Sequence, residues 1–242
     1  MTNLVMLLGP GRYRLTRQAL ESLAANTDPA SYNLTLVCDE LDFRTEALAI
    51  HTIFAISGLT PNVTSLRIEN SGHTLSQLKN LGVAWSEQRF GRGDWLYLSD
   101  SDVWFSAGWL DKIIMVGEAA DHTAFRLFGG QIHPFHGPTH FPVDSAADGR
   151  FGWTEHSVLD GPSWLMRWSA WLQYGPLDRT TAPGTCRSEE YPFCRRLLAG
   201  GGRIGVTQPH VVVHTGLTTA DGHDCVGRKE RELMIPEGVL AE

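Results

Sequence analysis

The apolar positions of this chain change their period several times. Leu4 to Leu8 is a continuous apolar run that Gly9-Pro10-Gly11 stops, the pattern of a strand buried on both faces. Leu15, Ala19, Leu20 and Leu23 then recur at helical spacing. Asn33 to Cys38 reads as a second strand ending in the acidic cluster Asp39, Glu40 and Asp42. Thr45 to Ser57 carries a helical pattern that Gly58 stops, and Val63 to Ile68 reads as a third strand. Thr74-Leu75-Ser76-Gln77 has the form of a capping box, a hydroxyl at the cap and an amide side chain three residues on. Leu75, Leu78 and Trp85 fall on one face of the helix it opens. Trp95 to Leu98 is a fourth apolar strand and runs into Ser99-Asp100-Ser101-Asp102.

The second half is less regular. Residues 121–160 hold many Gly, Pro and His without a sustained period, and predict short strands and long loops. Trp164 to Leu172 predicts a strand turning into a helix near Ser169, closed by Gly175-Pro176. Ser188 is placed to cap a helix running to Ala199, with Gly200 to Gly202 as its stop. Short strands are expected near Arg203 to Thr207 and His210 to His214, followed by a polar tail from Thr215. Strands alternating with helices at this density predict an α/β fold, a mainly parallel central sheet flanked by helices in a single domain.

Composition narrows the class. The 242 residues suffice for one large α/β domain, and 42% apolar with 19% charged residues describe a globular chain. A formal net charge of -7 disfavours nucleic acid as the main ligand. It leaves nucleic acid, modified DNA included, open as an acceptor through a local basic patch. The apolar run at Leu4 lacks a basic flank and is too short for a signal peptide or a membrane span. Cys38, Cys186, Cys194 and Cys225 show no CxxC spacing, which suits reduced thiols in a cytoplasmic protein without stable membrane insertion.

The sharpest chemical feature is Asp100-Ser101-Asp102 at the end of an apolar strand. Residues i and i+2 of a strand point to one side, so both carboxylates aim at the carboxyl edge of the sheet, where open α/β sheets bind ligands. Such a pair repels itself unless a cation sits between its members, and Mn²⁺ or Mg²⁺ shared with diphosphate oxygens meets that need. A solvated turn holding two aspartates is the alternative.

The run Asn70-Ser71-Gly72, Lys79-Asn80-Leu81-Gly82 and Gly93-Asp94-Trp95 through Asp102 resembles the nucleotide-binding half of GT-A glycosyltransferases, especially the family 2 type. Asp160-Gly161, Trp164 to Arg167 and Gly175-Pro176-Leu177-Asp178 resemble the acceptor-side segment of that family. Ser188-Glu189-Glu190-Tyr191 resembles its acidic motif with the following helix, and Val213-His214 its late strand ending in histidine. The matches span residues 4 to 216.

The resemblance implies a Rossmann-like GT-A fold with a nucleotide-sugar-binding half at 1–104, an acceptor-binding and catalytic half at 105–216, and a C-terminal tail at 217–242. It implies donor contacts from Asp39, Lys79 and Asp100, with Lys79 near the diphosphate. It further implies metal ligation by Asp102 and His214, where imidazole suits Mn²⁺ better than Mg²⁺. Asp160 and Trp164 would serve the acceptor. Glu190, or Glu189 beside it, would take the proton from an acceptor hydroxyl; a Glu stands here where the family has Asp. The reaction implied is hexosyl transfer from a nucleotide-diphosphate sugar, a UDP-sugar first, to a hydroxyl acceptor with inversion.

Bland readings stand beside these. Glu189 and Glu190 suit the first turn of a helix, whose dipole favours carboxylates. His133, His136 and His140 fit no zinc spacing, because Pro134, Gly137 and Pro138 interrupt them. Trp153, Trp164, Trp168 and Trp171 are core residues by default, although an exposed indole at Trp153 or Trp164 could stack on a sugar ring. Two rival functions remain: a nucleotidyltransferase acting on a sugar phosphate, with Gly9-Pro10-Gly11-Arg12-Tyr13-Arg14 as a faint glycine-rich basic loop, and a non-catalytic sugar-binding domain of the same fold.

Overall fold

The computed structural model describes residues 1–9, 13–39, 62–68, 73–119, 125–129, 140–142, 152–156, 163–178, 190–208 and 211–215. In chain order the elements are β1 (Thr2–Leu8), α1 (Tyr13–Asn26), a 3₁₀ turn (Pro29–Ser31), β2 (Tyr32–Asp39), β3 (Val63–Ile68), α2 (Leu75–Phe90), β4 (Trp95–Asp100) and β5 (Val103–Phe105). They continue with α3 (Trp109–Ala119), β6 (Phe125–Gly129), β7 (His140–Pro142), β8 (Gly152–His156), β9 (Ser163–Arg167), α4 (Trp168–Tyr174), α5 (Glu190–Ala199), β10 (Arg203–Gln208) and β11 (Val212–His214). The helix expected at Thr45 to Ser57, the cap at Ser188 and the tail beyond Thr215 lie outside the described residues.

Among the described residues the strands form a nine-stranded sheet, in the order β3-β2-β1-β4-β9-β6-β10-β8-β7, and a separate β5–β11 ribbon. The first four strands pair in parallel. Beyond them only β9 and β8 run against the rest. The expected mainly parallel α/β sheet is therefore what forms, and its parallel block ends at β4, the strand that carries Asp100.

Strand alternation builds a core on each face. Leu4, Met6 and Leu8 of β1 point to one side, where Ala19, Leu20 and Leu23 of α1 and Trp109 and Ile113 of α3 cover them. Val5 and Leu7 point to the other side, against Leu78 and Val83 of α2 and a cluster from α4 and α5 that includes Trp168, Trp171 and Phe193. Helices on both faces explain why Leu4–Leu8 of β1 is apolar at successive positions instead of alternating.

Helix α2 differs from its expected orientation. Leu75 is exposed, and the buried stripe is Ser76, Leu78, Lys79, Gly82, Val83 and Ser86. Small residues decide this. A Cβ built on Gly82 would lie 2.5 Å from a Val37 methyl and 2.6 Å from a Val5 methyl, so glycine lets the helix settle directly onto β1 and β2. Gly82→Ala is expected to lower stability by about 1–3 kcal/mol, the usual effect of overpacking, read as a lower urea midpoint with an unchanged slope. The capping box is present: the Thr74 N–H donates to Gln77 Oε1 at 2.9 Å, and the Gln77 N–H donates to Thr74 Oγ1 at 3.3 Å. It fixes where α2 begins, and with it the position of Lys79.

Residues 103–119, which carried no expectation, supply β5 and α3. Phe105 is held on both backbone groups by α1: its N–H donates to Ser22 Oγ at 3.1 Å, and its carbonyl accepts from Asn26 Nδ2 at 2.8 Å. Trp109 Nε1 donates to Thr27 Oγ1 at 2.7 Å. The segment that follows Asp102 is thereby anchored to the first helix of the fold.

Candidate active site

Four of the residues singled out by sequence meet at the carboxyl end of β4. Asp100 is its last residue, and Asp102 lies in the tight turn between β4 and β5. The β5–β11 ribbon brings His214 opposite Val103. Both ends of the ribbon are fastened: the Thr215 N–H donates to the Asp102 carbonyl at 2.7 Å, and the Ser106 N–H and Oγ donate to the Val211 carbonyl at 3.1 and 2.8 Å. The consequence is a fixed approach of His214 Nε2 to Asp102 Oδ2, 3.0 Å, with both side chains almost fully buried.

On the opposite flank, Lys79 reaches from α2 with its Nζ 3.7 Å from Asp100 Oδ1. Its ammonium also lies 5.6 Å from the centre of the Trp164 ring, within cation–π range. Tyr97, three residues before Asp100 and on the other face of β4, shares a 2.6 Å hydrogen bond with Ser163 Oγ, which ties β9 to β4. Burial holds the Tyr97 hydroxyl well above the ordinary phenol range; the Ser163 hydrogen bond offsets part of that, and the Asp100 charge adds to it. Tyr97 is therefore neutral and belongs to the core beneath the sheet, packed against Phe105 and Trp109.

The donor set fits a divalent cation. Asp102 Oδ2 and His214 Nε2 lie 3.0 Å apart, in direct hydrogen-bond contact, and adjacent ligands of an octahedral ion bound at about 2.1 Å have the same separation of about 3.0 Å. Nδ1 of His214 is buried and makes no hydrogen bond among the described residues, and the β5–β11 ribbon sets the position of the ring. Among the described residues no third His, Cys, Asp or Glu joins this pair.

One expected role is corrected. Trp164 is fully buried, stacked on Phe193 at 5.6 Å between centroids and lying under Lys79. A ring with no exposed face offers no surface to a sugar, so Trp164 is a core residue of β9 and no acceptor platform. Trp153 is buried as well. Cys38 and Cys194 are buried thiols. Asp39 ends β2 and Glu190 opens α5, but their side chains, like the whole of Asp160, Glu189, His133 and His136, lie outside the described residues, as does the His140 side chain.

The chain leading to Glu190 is nevertheless anchored on its near side. Asn80 of α2 bonds both ways with the Leu177 backbone, 2.9 Å each. Arg196 of α5 donates to the carbonyls of Tyr174 at 2.9 Å and Pro176 at 2.8 Å and pairs with Asp178. The segment 174–178 is thus held between α2, through Asn80, and the last turn of α5, through Arg196.

No protein-family model and no curated protein matches the sequence. Solved structures match the fold. The chain superposes on GalNAc-T7, crystallised with UDP, GalNAc and Mn²⁺, with a TM-score of 0.63 at 11% identity, covering 88% of this chain and 43% of that one. For Staphylococcus aureus TarS 1-349 the TM-score is 0.62 at 13% identity, covering 90% and 61%. For the mannosyltransferase PcManGT from Pyrobaculum calidifontis, in complex with GDP-Man and Mn²⁺, it is 0.63 at 12% identity, covering 88% and 56%. The fold is therefore GT-A, and the chain spans about half the length of the proteins it matches.

Proposed function

We propose that this chain is a metal-dependent glycosyltransferase that moves a sugar from a nucleotide-diphosphate donor to a hydroxyl acceptor. The observation that carries this reading is the buried Asp102–His214 pair at 3.0 Å, beside Asp100 at the carboxyl edge of a GT-A sheet. The Mn²⁺ in two of the matched structures, one with UDP and the other with GDP-Man, supports the same chemistry here.

In this reading residues 1–104 form the donor half and 105–216 the acceptor half. Asp39 and Asp100 hold the nucleoside. Asp102 and His214 hold the cation, which when bound neutralises charge on the departing diphosphate as a Lewis acid. Glu190 takes the acceptor proton from the opposite side, and Glu189 is its alternate. A single displacement inverts the anomeric carbon. The donor is first a UDP-sugar, and the transfer is of the hexosyl type. Among the described residues no helix is long and apolar enough to cross a membrane.

The test is release of nucleoside diphosphate from a panel of UDP- and GDP-sugars with Mn²⁺, for wild type, Glu190→Gln and Glu189→Gln. Wild type is expected to turn over one donor, and Glu190→Gln to lose about 10²- to 10⁴-fold, the range for a lost general base, while still binding that donor. Pyrophosphate release from a nucleoside triphosphate instead would identify a nucleotidyltransferase, and nucleotide-sugar binding without turnover a sugar-binding domain.

A further inference from the structure

We infer that Lys79 is a positioning residue that acts on the donor through Asp100, and is not a contact to the donor's phosphates. The inference rests on the donor-site reading above and sharpens it. Lys79 is 1% exposed, among the largest fully buried side chains of the protein. Its stem lies on the face of α2 that packs against the sheet, and its Nζ sits over the buried Trp164 ring. Asp100 is the exposed member of the pair: its side chain is 27% accessible against 2% for Lys79, and its buried oxygen, Oδ1, is the one that faces Nζ. The carboxylate thus stands between the ammonium and the cleft.

Three features make this a fixed arrangement. The capping box sets the start of α2. Gly82, one turn on, seats the helix against Val5 and Val37. Asn80, the next residue, locks the same turn to Leu177. A lysine so enclosed cannot extend toward a ligand without unpacking the helix. What it can do is hold one oxygen of Asp100 from below, so that the other is presented at a constant angle to a ribose. A buried cation also opposes the repulsion between Asp100 and Asp102 when both are ionised.

A double-mutant cycle tests this, with UDP and Mn²⁺ as the probe, or GDP if that is the nucleotide that binds. Calorimetric affinities are measured on Lys79→Met, Asp100→Asn and the double variant, with the folded fraction checked by circular dichroism. Each single variant is expected to bind about 10- to 100-fold more weakly, the scale of a lost supporting partner, and the double variant no more weakly than Asp100→Asn alone. Multiplying losses, or an unchanged affinity in folded Lys79→Met, would overturn the inference. Should Lys79→Met fail to fold, the double variant, in which both members are neutral, is compared with Asp100→Asn, and any further loss overturns it. A wild type that binds neither UDP nor GDP would instead remove the glycosyltransferase reading itself.

Discussion

Asp102→Ala is expected to abolish Mn²⁺-dependent donor turnover, with a loss of about 10³-fold or more, while leaving the protein folded. The loss follows from position: Asp102 supplies one of only two described side chains in ligand geometry, and removing it leaves His214 to hold a cation alone. Electrostatic stabilisation of a leaving group by a fixed charge is among the larger single contributions to catalysis, and its removal is felt on that scale. The substitution removes the 3.0 Å contact to His214, but the backbone carbonyl of Asp102 still accepts from the Thr215 N–H at 2.7 Å and keeps the ribbon fastened. Turnover and the ligand-free melting temperature, measured together, check this. Loss of both would make Asp102 a structural residue; loss of neither would remove it from the site.

Trp164→Ala is expected to act the other way, on stability first. Deleting a fully buried indole costs about 3–5 kcal/mol, a large share of the roughly 5–15 kcal/mol that hold a domain folded. The ring stacks on Phe193 of α5 and underlies the Lys79 ammonium, so its loss opens a cavity between β9, α5 and α2 at once. Equilibrium urea unfolding should show the drop, and Trp164→Phe should show a smaller one. If Trp164→Ala kept its stability and changed only the acceptor KM, the ring would have to be a surface platform after all.

How far the sequence can be read follows from where its signals are local. β1 and β4 carry continuous apolar runs, Leu4–Leu8 and Trp95–Leu98, and β2 and β3 mix β-branched and apolar residues between turn residues, so each announces itself as a strand. Thr74 and Gln77 mark a helix start through a bond that spans three residues. Asp100 is legible as the last residue of an apolar strand, whereas Asp102 lies beyond the strand in the turn to β5, so its direction is set by that turn and not by strand alternation. His214 is different: its partner is far away in sequence, and only the resemblance to a family suggests the pairing that the β5–β11 ribbon makes.

What the pattern obscures is also physical. Val103–Phe105 is too short for an alternation to register, although Trp109, Leu110, Ile113 and Val116 of α3 do carry helical spacing and could have been read. The face of α2 is misjudged from its large residues because the seating is set by Gly82 and two serines, whose value is the room they leave. Lys79 reads as a surface cation because a lysine on a helix usually is one. Its burial depends on Asp100 and Trp164 arriving from two other strands. Trp164 has the opposite difficulty, since an aromatic residue beside a cleft and one beneath it have the same local sequence.

The central claim is that Asp102 and His214 complete a cation-dependent nucleotide-sugar site. Its most direct test is the thermal midpoint of wild type and Asp102→Ala with a panel of nucleotide sugars and nucleoside triphosphates, each with and without Mn²⁺. A ligand that binds only the folded state stabilises it by about 2.7 kcal/mol at a hundred times its Kd, a shift easily seen in a chain of this size. The account predicts that one nucleotide-diphosphate sugar raises the midpoint, that the rise requires Mn²⁺, and that Asp102→Ala loses it. A rise that persists in Asp102→Ala, one that ignores Mn²⁺, or one given only by triphosphates would contradict it.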